Sequence, residues 1–593
     1  MQLLSKRLVV ALSLSLAALF TLGRQLSTVS PATAQEGATS PDAPAPQIER
    51  PFQLPFVAPP GLETWLMAQP YGNTSGAYRQ RFTTYGASGG IHFGLDLSAP
   101  CGTEIVAIAD GIVFAVDGPF GSPPHNLMID HPQFGYASMY GHLREAPNLK
   151  PGQVVKQGQV VALSGDTGET CYSRPHLHLE IRDLDHLTKY NPTLLIAANW
   201  DNLALIGSSG RDFARDLADP RKWQSLYDQP EARTGGPIVN DFEYAWPFDW
   251  SQRSAASLTP ASLVIPAAPA EERPPAPLAR SALGRQLTAG DCCTQFYWSQ
   301  DSSQVRFIDR PGGAAPLGLW GVDLAQPEAG PQLVTERLGL YSPDGRLAAY
   351  PDREKGLAVI ERLADGQTWA IDTAEQSLSF TPDSQYVTWS VSNEETPRDN
   401  REEVRWLART DGSQARILYR ARRVSALAWL GADELLMAQR IPGGDEQRLF
   451  TFSLGDGRET DLVQLPELRG LAFSPDRRYL VYYVNFEPER ARNGLWLLDL
   501  QNPAQAPRKL PFFGAYRWRD NERLIYVPFD PEASQHNFYE YNLLTGQARS
   551  LFPAGTRLTI ANNEWRVSPD GRRIALLAAR GRGFDGLWAL EID

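Results

Sequence analysis

Imidazoles and carboxylates at particular spacings are the residues here with the clearest chemistry. In His92-Phe93-Gly94-Leu95-Asp96, positions i and i+4 of an extended segment face the same side, so an imidazole and a carboxylate can reach one cation. In His176-Leu177-His178-Leu179-Glu180-Ile181, alternation puts His176, His178 and Glu180 on one face and three aliphatic residues on the other. A third histidine stands in Tyr140-Gly141-His142-Leu143. Each fragment alone has a plain structural reading, as a polar strand face or a strand-end histidine bonded to backbone. Their crowding adds weight: of eight histidines, seven fall between His92 and His186, and only His536 lies elsewhere.

The elements that must position these groups read as short strands. Gly152, Gly158, Gly165 and Gly168 punctuate apolar pairs such as Val154-Val155 and Val160-Val161, a pattern of strands joined by tight turns. The 593 residues are too many for one core and imply two or three domains. Pro and Ala crowd residues 35–60 and about 258–282, as in extended spacers. The expected organisation is therefore a leader (1–34), a spacer (35–60), a first module (61–200), a connecting segment ending in a second spacer (201–282) and a second module (283–593).

Lys6, Arg7, the apolar run 8–22 and Ala32-Thr33-Ala34 have the make-up of a secretory signal peptide cleaved after Ala34, so an exported protein is expected. An uncleaved anchor is the alternative, though the run is short for a bilayer span. No Cys stands directly after that run, and no later segment is long and apolar enough to cross a membrane. The net charge of −12, without a basic cluster, argues against nucleic acid as a partner.

The second module repeats itself. Gln300-Asp301, Pro343-Asp344-Gly345, Pro382-Asp383, Ala432-Asp433, Pro475-Asp476, Arg519-Asp520 and Pro569-Asp570-Gly571 recur at intervals of about 40 to 50 residues, each followed by a β-rich run. Seven such units imply seven propeller blades. The last blade lacks a strand, and residues 284–288 are the nearest candidate to pair with the C-terminal strand and seal the ring. The Ser-Pro-Asp-Gly turns resemble those of TolB-type and WD-like β-propellers. No catalytic cluster is visible in 283–593.

Taken in order, the histidine motifs resemble the lysostaphin-type (LytM) zinc metallopeptidases over about residues 85–190. Pro100-x-Gly102-Thr103 and Ala109-Asp110-Gly111 add to the match. The resemblance implies an all-β chain: a compact antiparallel peptidase domain of the duplicated-hybrid-motif type, followed by the propeller. It implies Zn2+ held by His92, Asp96 and His178, an arrangement that leaves a fourth position open as catalytic sites do. It implies His142 and His176 as general base and oxyanion donor, in an order the residues do not assign. His125, His131 and His186 take the structural reading, and Glu180 is not assigned a catalytic role. The implied substrate is the peptide of bacterial peptidoglycan, with a protein or glycan ligand on the propeller. A non-catalytic regulator or binding scaffold for wall hydrolases is the alternative. Two rim loops depart from the family: 170–175, which contains Cys171, and 117–127, with Pro123-Pro124-His125. Once the ligands converge, Cys101 and Cys171 stand at one rim, and a bridge between them is expected. Adjacent Cys292 and Cys293 could form a vicinal bridge or stay reduced.

Overall fold

Leu177, Leu179 and Ile181 are fully buried on one side of a central strand, and that strand organises the first module. The computed structural model describes residues 50–233 and 280–592, apart from 82–83, 168–170, 172–173, 207–212, 218, 282–283, 291, 353–354, 375, 393–401, 443–445, 554–555, 557 and 581–582. The leader 1–34, its cleavage point and most of both Pro/Ala-rich stretches lie outside the described residues. Among those described, no helix is long and apolar enough to cross a membrane.

The first module is a nine-stranded antiparallel sheet. Its strands are β1 (Leu66–Gln69), β2 (Leu95–Ser98), β4 (Gly111–Val116), β5 (His125–His131), β6 (Tyr136–Leu143), β7 (Val154–Val155), β9 (His176–Asp183), β10 (Thr188–Tyr190) and β11 (Ala232–Arg233). A separate pair is formed by β3 (Glu104–Val106) and β8 (Val160–Leu163). The main order is β1-β2-β9-β6-β5-β4-β7, with β10 and β11 added beside β9. One face is apolar and carries the core of Leu95, Leu97, Ile129, Tyr140, Leu177, Leu179 and Trp200. Residues 50–60, which composition places in a spacer, are anchored here. Phe52 is buried in that core, and its N–H and C=O bond to Leu195 and Ala197. One large aromatic side chain outweighs the extended bias of its neighbours.

The second module is a ring of seven antiparallel sheets. Six blades take four consecutive strands each. The seventh takes Ile560–Val567, Arg573–Arg580 and Gly583–Glu591 from the end of the chain and Gly284–Gln286 from the module's start. The last pair runs antiparallel, Gly284 opposite Leu590 and Gln286 opposite Trp588, so the expected seal is present.

The recurring Asp is explained by its turn. Ser342 donates its hydroxyl to Asp344 Oδ1, which also accepts the N–H of Arg346, while Ser342 Oγ accepts the N–H of Leu347. The same hydroxyl-to-carboxylate bond recurs at Ser299/Asp301, Thr381/Asp383, Ser474/Asp476 and Ser568/Asp570. These carboxylates cap turns.

The modules share a core. Leu66, Leu205 and Ile206 pack with Tyr526, Leu543 and Trp565 of the ring. Around that contact Asn202 Nδ2 donates to Ala533 O at 2.7 Å, and His536 Nε2 donates to Asn202 Oδ1 at 2.7 Å. Farther along the connecting segment, Arg215 Nη2 donates to Thr294 O at 2.7 Å.

Candidate metal centre

Register brings the site together. Asp96 lies opposite His178 across β2 and β9, and Gly141 lies opposite His178 across β6 and β9, so three strands meet at one level. His92 and Asp96 meet without sharing a strand, contrary to the expectation from spacing. Asp96 belongs to β2, whereas His92 precedes it in an isolated bridge with Gly72. Gly94 lets the chain pass close to β9: a Cβ there would stand 2.5 Å from Leu179 O and 3.0 Å from His178 Cε1. His142, at the end of β6, adopts φ 55°, a left-handed conformation that costs a non-glycine residue on the order of 1 kcal/mol or more.

His92, Asp96 and His178 are buried, and one donor atom from each lies within 4.8 Å of the others. His92 Nε2 is 3.1 Å from both Asp96 Oδ1 and His178 Nδ1, and His178 Nδ1 is 2.8 Å from Asp96 Oδ1. Two imidazole nitrogens and a carboxylate oxygen thus point at one spot, sharing protons that a cation can replace. This donor set suits zinc, which takes nitrogen and carboxylate oxygen ligands.

The outer ring nitrogens are fixed as well. A carbonyl can only accept, so His92 Nδ1 carries the proton that bonds Pro70 O at 2.8 Å. His142 Nδ1 likewise donates to Pro123 O at 2.5 Å, and His176 Nδ1 to Arg174 O at 2.8 Å. All three rings therefore turn Nε2 toward the centre. His178 is reversed: Nδ1 faces the centre, and Nε2 bonds Glu180 Oε1 at 3.2 Å. Glu180 is held in turn by Arg182 Nε at 2.7 Å, and Arg182 Nη2 donates to Phe120 O. Such outer partners fix ring orientation in metal sites.

The electrostatics follow from this packing. At Asp96 burial opposes ionisation, but His92, His176 and His178 together hold the carboxyl well below its usual range. Burial opposes the charge on His178 too, and the bonds to Asp96 and Glu180 overcome it, raising the ring to about 9. His142 goes the other way: burial first, then His176 and His178, push it down to about 3 and keep it neutral. The rings of His142 and His176 meet in a tilted contact, centroids 4.8 Å apart and planes inclined by 53°, beside the three-residue cluster.

The remaining histidines are placed elsewhere. His131 bonds Asp110 O and Ser138 Oγ, His125 pairs with Asp117, and His186 pairs with Asp130. Cys101 and Cys171 are joined, as expected, across a sequence separation of 70. A second three-residue group, Cys292, Cys293 and Asp309, has its sulfurs joined to each other and Asp309 paired with Arg221. The carbonyls of Pro70, Pro123 and Arg174 left no trace in the sequence, since any residue type supplies one. The loops carrying Pro123 and Arg174 are the two that depart from the family pattern, and each sets one histidine's tautomer.

Residues 90–192 match Peptidase family M23. The chain is 40% identical over 89 residues to an uncharacterized metalloprotease of Haemophilus influenzae, covering 15% of this chain and 18% of that protein. It is 37% identical over 91 residues to the peptidoglycan DD-endopeptidase ShyB of Vibrio cholerae (15% and 20%), and 36% over 96 residues to lysostaphin of Staphylococcus staphylolyticus (16% and 19%). The chain thus spans about a fifth of the length of these relatives, and the matched segment holds all five residues of the cluster. Residues 90–192 are a peptidase family M23 domain of lysostaphin type, carried in one chain with a seven-bladed β-propeller.

Proposed function

We propose that this protein is an exported zinc endopeptidase that hydrolyses peptide bonds in the stems or cross-bridges of peptidoglycan. The observation that carries the reading is the convergence of His92, Asp96 and His178 on one buried point, with every outer ring nitrogen already fixed. These three residues would hold Zn2+, which when bound supplies Lewis acidity toward a carbonyl and lowers the pKa of water. The chain's own residues do the rest. His142, neutral and with its Nε2 unbonded among the described residues, accepts the proton of the attacking water. His176, its ring centroid 4.8 Å from that of His142, supplies the hydrogen bond to the developing oxyanion through Nε2. Glu180 and Arg182 hold His178 in place without touching substrate.

The name of the peptidoglycan DD-endopeptidase among the relatives supports the substrate class, and the leader-like residues 1–34 support export. The propeller serves as a binding module in this reading. The test is digestion of purified peptidoglycan by the full-length protein, with zinc measured on the same sample and new termini identified by mass spectrometry. Stoichiometric zinc and new peptide termini are expected. Intact peptidoglycan with a full wall-hydrolase-activating effect would replace the enzyme by a regulator.

A further inference from the structure

The innermost strand of six of the seven blades ends in an aromatic residue: Trp298, Tyr341, Phe380, Trp429, Phe473 and Trp518, with Val567 in the seventh. These positions are equivalent, because the N–H of the next residue closes each turn onto the following strand. Three of them are tryptophan. Trp298 donates its indole N–H to Arg566 O, and Trp518 to Ala472 O, each at 3.1 Å and each onto the neighbouring inner strand. Among the described residues the indole N–H of Trp429 has no such acceptor. The strand that carries it is bulged between Ala426 and Ala428, and the ring lines a cavity of about 640 Å3.

The walls of that cavity are apolar and aromatic, with Phe380, Leu427, Leu471 and Phe473 among them. Of its nine lining residues only Trp429 and Arg477 have polar side chains, and none is acidic. Arg477 is exposed and lies 5.5 Å from the centre of the Phe473 ring, with no hydrogen bond or ion pair to its guanidinium among the described residues. The nearby turn carboxylates are engaged. Asp383 accepts from Thr381 and Gln385, and Asp476 from Ser474 and Arg478. Arg477 is the one cationic side chain lining the cavity, no acidic residue lines it, and its guanidinium and the indole N–H of Trp429 can both donate to an anion. A saccharide would bring hydroxyls on every face, and these walls have nothing to bond them. A phosphate group would meet one cation and an apolar pocket.

We propose that this cavity binds a peptide by its free C-terminal carboxylate, held by the Arg477 fork and the Trp429 N–H. Small apolar side chains then pack against Phe380, Phe473, Leu427 and Leu471. The site lies away from the peptidase. The Ser/Thr-x-Asp turns beside it stand at one end of the ring. The peptidase contacts, Leu62 O with Phe486 N and Asn202 with Ala533, come from loops at the other. Only the source of the ligand rests on the peptidase reading: hydrolysis of a peptide bond by water leaves an amine and a new C-terminal carboxylate.

The test uses the full-length protein with chelator present, so that binding is read without cleavage. The probes are fluorescein-labelled Gly-Leu-Ala as the free acid and as its C-terminal amide, followed by anisotropy. The amide is expected to bind about tenfold or more weaker, and Arg477→Gln to weaken the free acid by a similar factor. Trp429→Phe, which keeps a ring and loses the N–H, is expected to cost about threefold to tenfold. Both variants should hydrolyse a soluble peptide at the wild-type rate and melt with the wild type. Equal binding of acid and amide, wild-type affinity in Arg477→Gln, or no binding at millimolar peptide would each overturn the proposal. Binding without any hydrolysis would sink the peptidase reading and leave this site standing; hydrolysis without binding would do the reverse.

Discussion

The two modules use polar side chains in opposite ways. In the first module's sheet, five residues from four segments of the chain converge once. In the ring, a hydroxyl-to-aspartate turn is repeated from blade to blade, and neighbouring turns are linked, as where Asp344 N–H donates to Ser384 Oγ and Asp570 N–H to Ser302 Oγ. A convergent site concentrates its function in single atoms. A repeated fold spreads its stability over many equivalent ones. The same residue type, aspartate, therefore joins a single convergent cluster at 96 and one of several like turns at 344.

The sharpest way to break that contrast is at the metal centre. His178→Ala and Asp96→Ala should each abolish zinc retention and peptide release together, since two ligands remain. His142→Ala should keep nearly stoichiometric zinc while hydrolysis falls by something on the order of 10²–10⁴-fold. Atomic absorption alongside peptide release separates the two classes. If His142→Ala loses its metal as readily as His178→Ala, the division between ligands and proton-transfer residues is wrong.

The ring has one place where it is not redundant, its seal. Deleting residues 284–288 leaves the strand Gly583–Glu591 without a partner on its outer edge. The propeller's melting transition should fall by more than about 5 °C, with aggregation as the exposed edge pairs between molecules. Calorimetry showing an unchanged transition would remove the seal from the account.

Between the modules, His536 makes the contrast depend on pH. Its ring donates to Asn202 Oδ1 and accepts from Ile560 N–H, a pattern only the neutral form satisfies, and burial pushes it down to about 4. The unfolded chain, with an ordinary histidine near about 6.5, binds the proton first as pH falls. The contribution is therefore complete above about pH 6.5 and is lost as pH drops toward 4, amounting to about 3 kcal/mol at most. Urea unfolding of the wild type should lose this increment between those values, and His536→Gln should flatten the dependence. A parallel pH profile in the variant would contradict it.

The smallest effect belongs to a single turn. Asp344→Ala removes one capping carboxylate and should cost about 1 kcal/mol, with no loss of peptide release. A loss near that of the seal deletion would mean that the blades are far less equivalent than their hydrogen bonds make them.

How far the sequence could be read depended on which atoms did the work. The five residues of the cluster could be picked out because few side-chain types bring an imidazole or a carboxylate, and alternation gave the shared face of His176 and His178, whereas His92 meets Asp96 from outside its strand. The seal at 284–288 followed from counting strands. The carbonyls of Pro70, Pro123 and Arg174 were invisible, because a backbone acceptor is the same on every residue and only folding aims it. Glu180 was legible as a face and illegible as the partner of His178 Nε2, since that bond depends on which ring nitrogen turns inward. Phe52 was hidden by the composition of its neighbours. The contacts joining the modules pair residues some 330 positions apart, such as Asn202 and His536, where no local pattern can point.

The seal has a consequence for where the propeller may be cut. Gly284 and Leu590 stand side by side in one blade, so the order in which the seven blades are written along the chain is not needed to hold them in a circle. A propeller rejoined there through a short glycine-rich linker and reopened between two other blades would keep every strand pairing it now has. Its connectivity is a circle, and the chain's choice of a starting blade serves the neighbour it must carry.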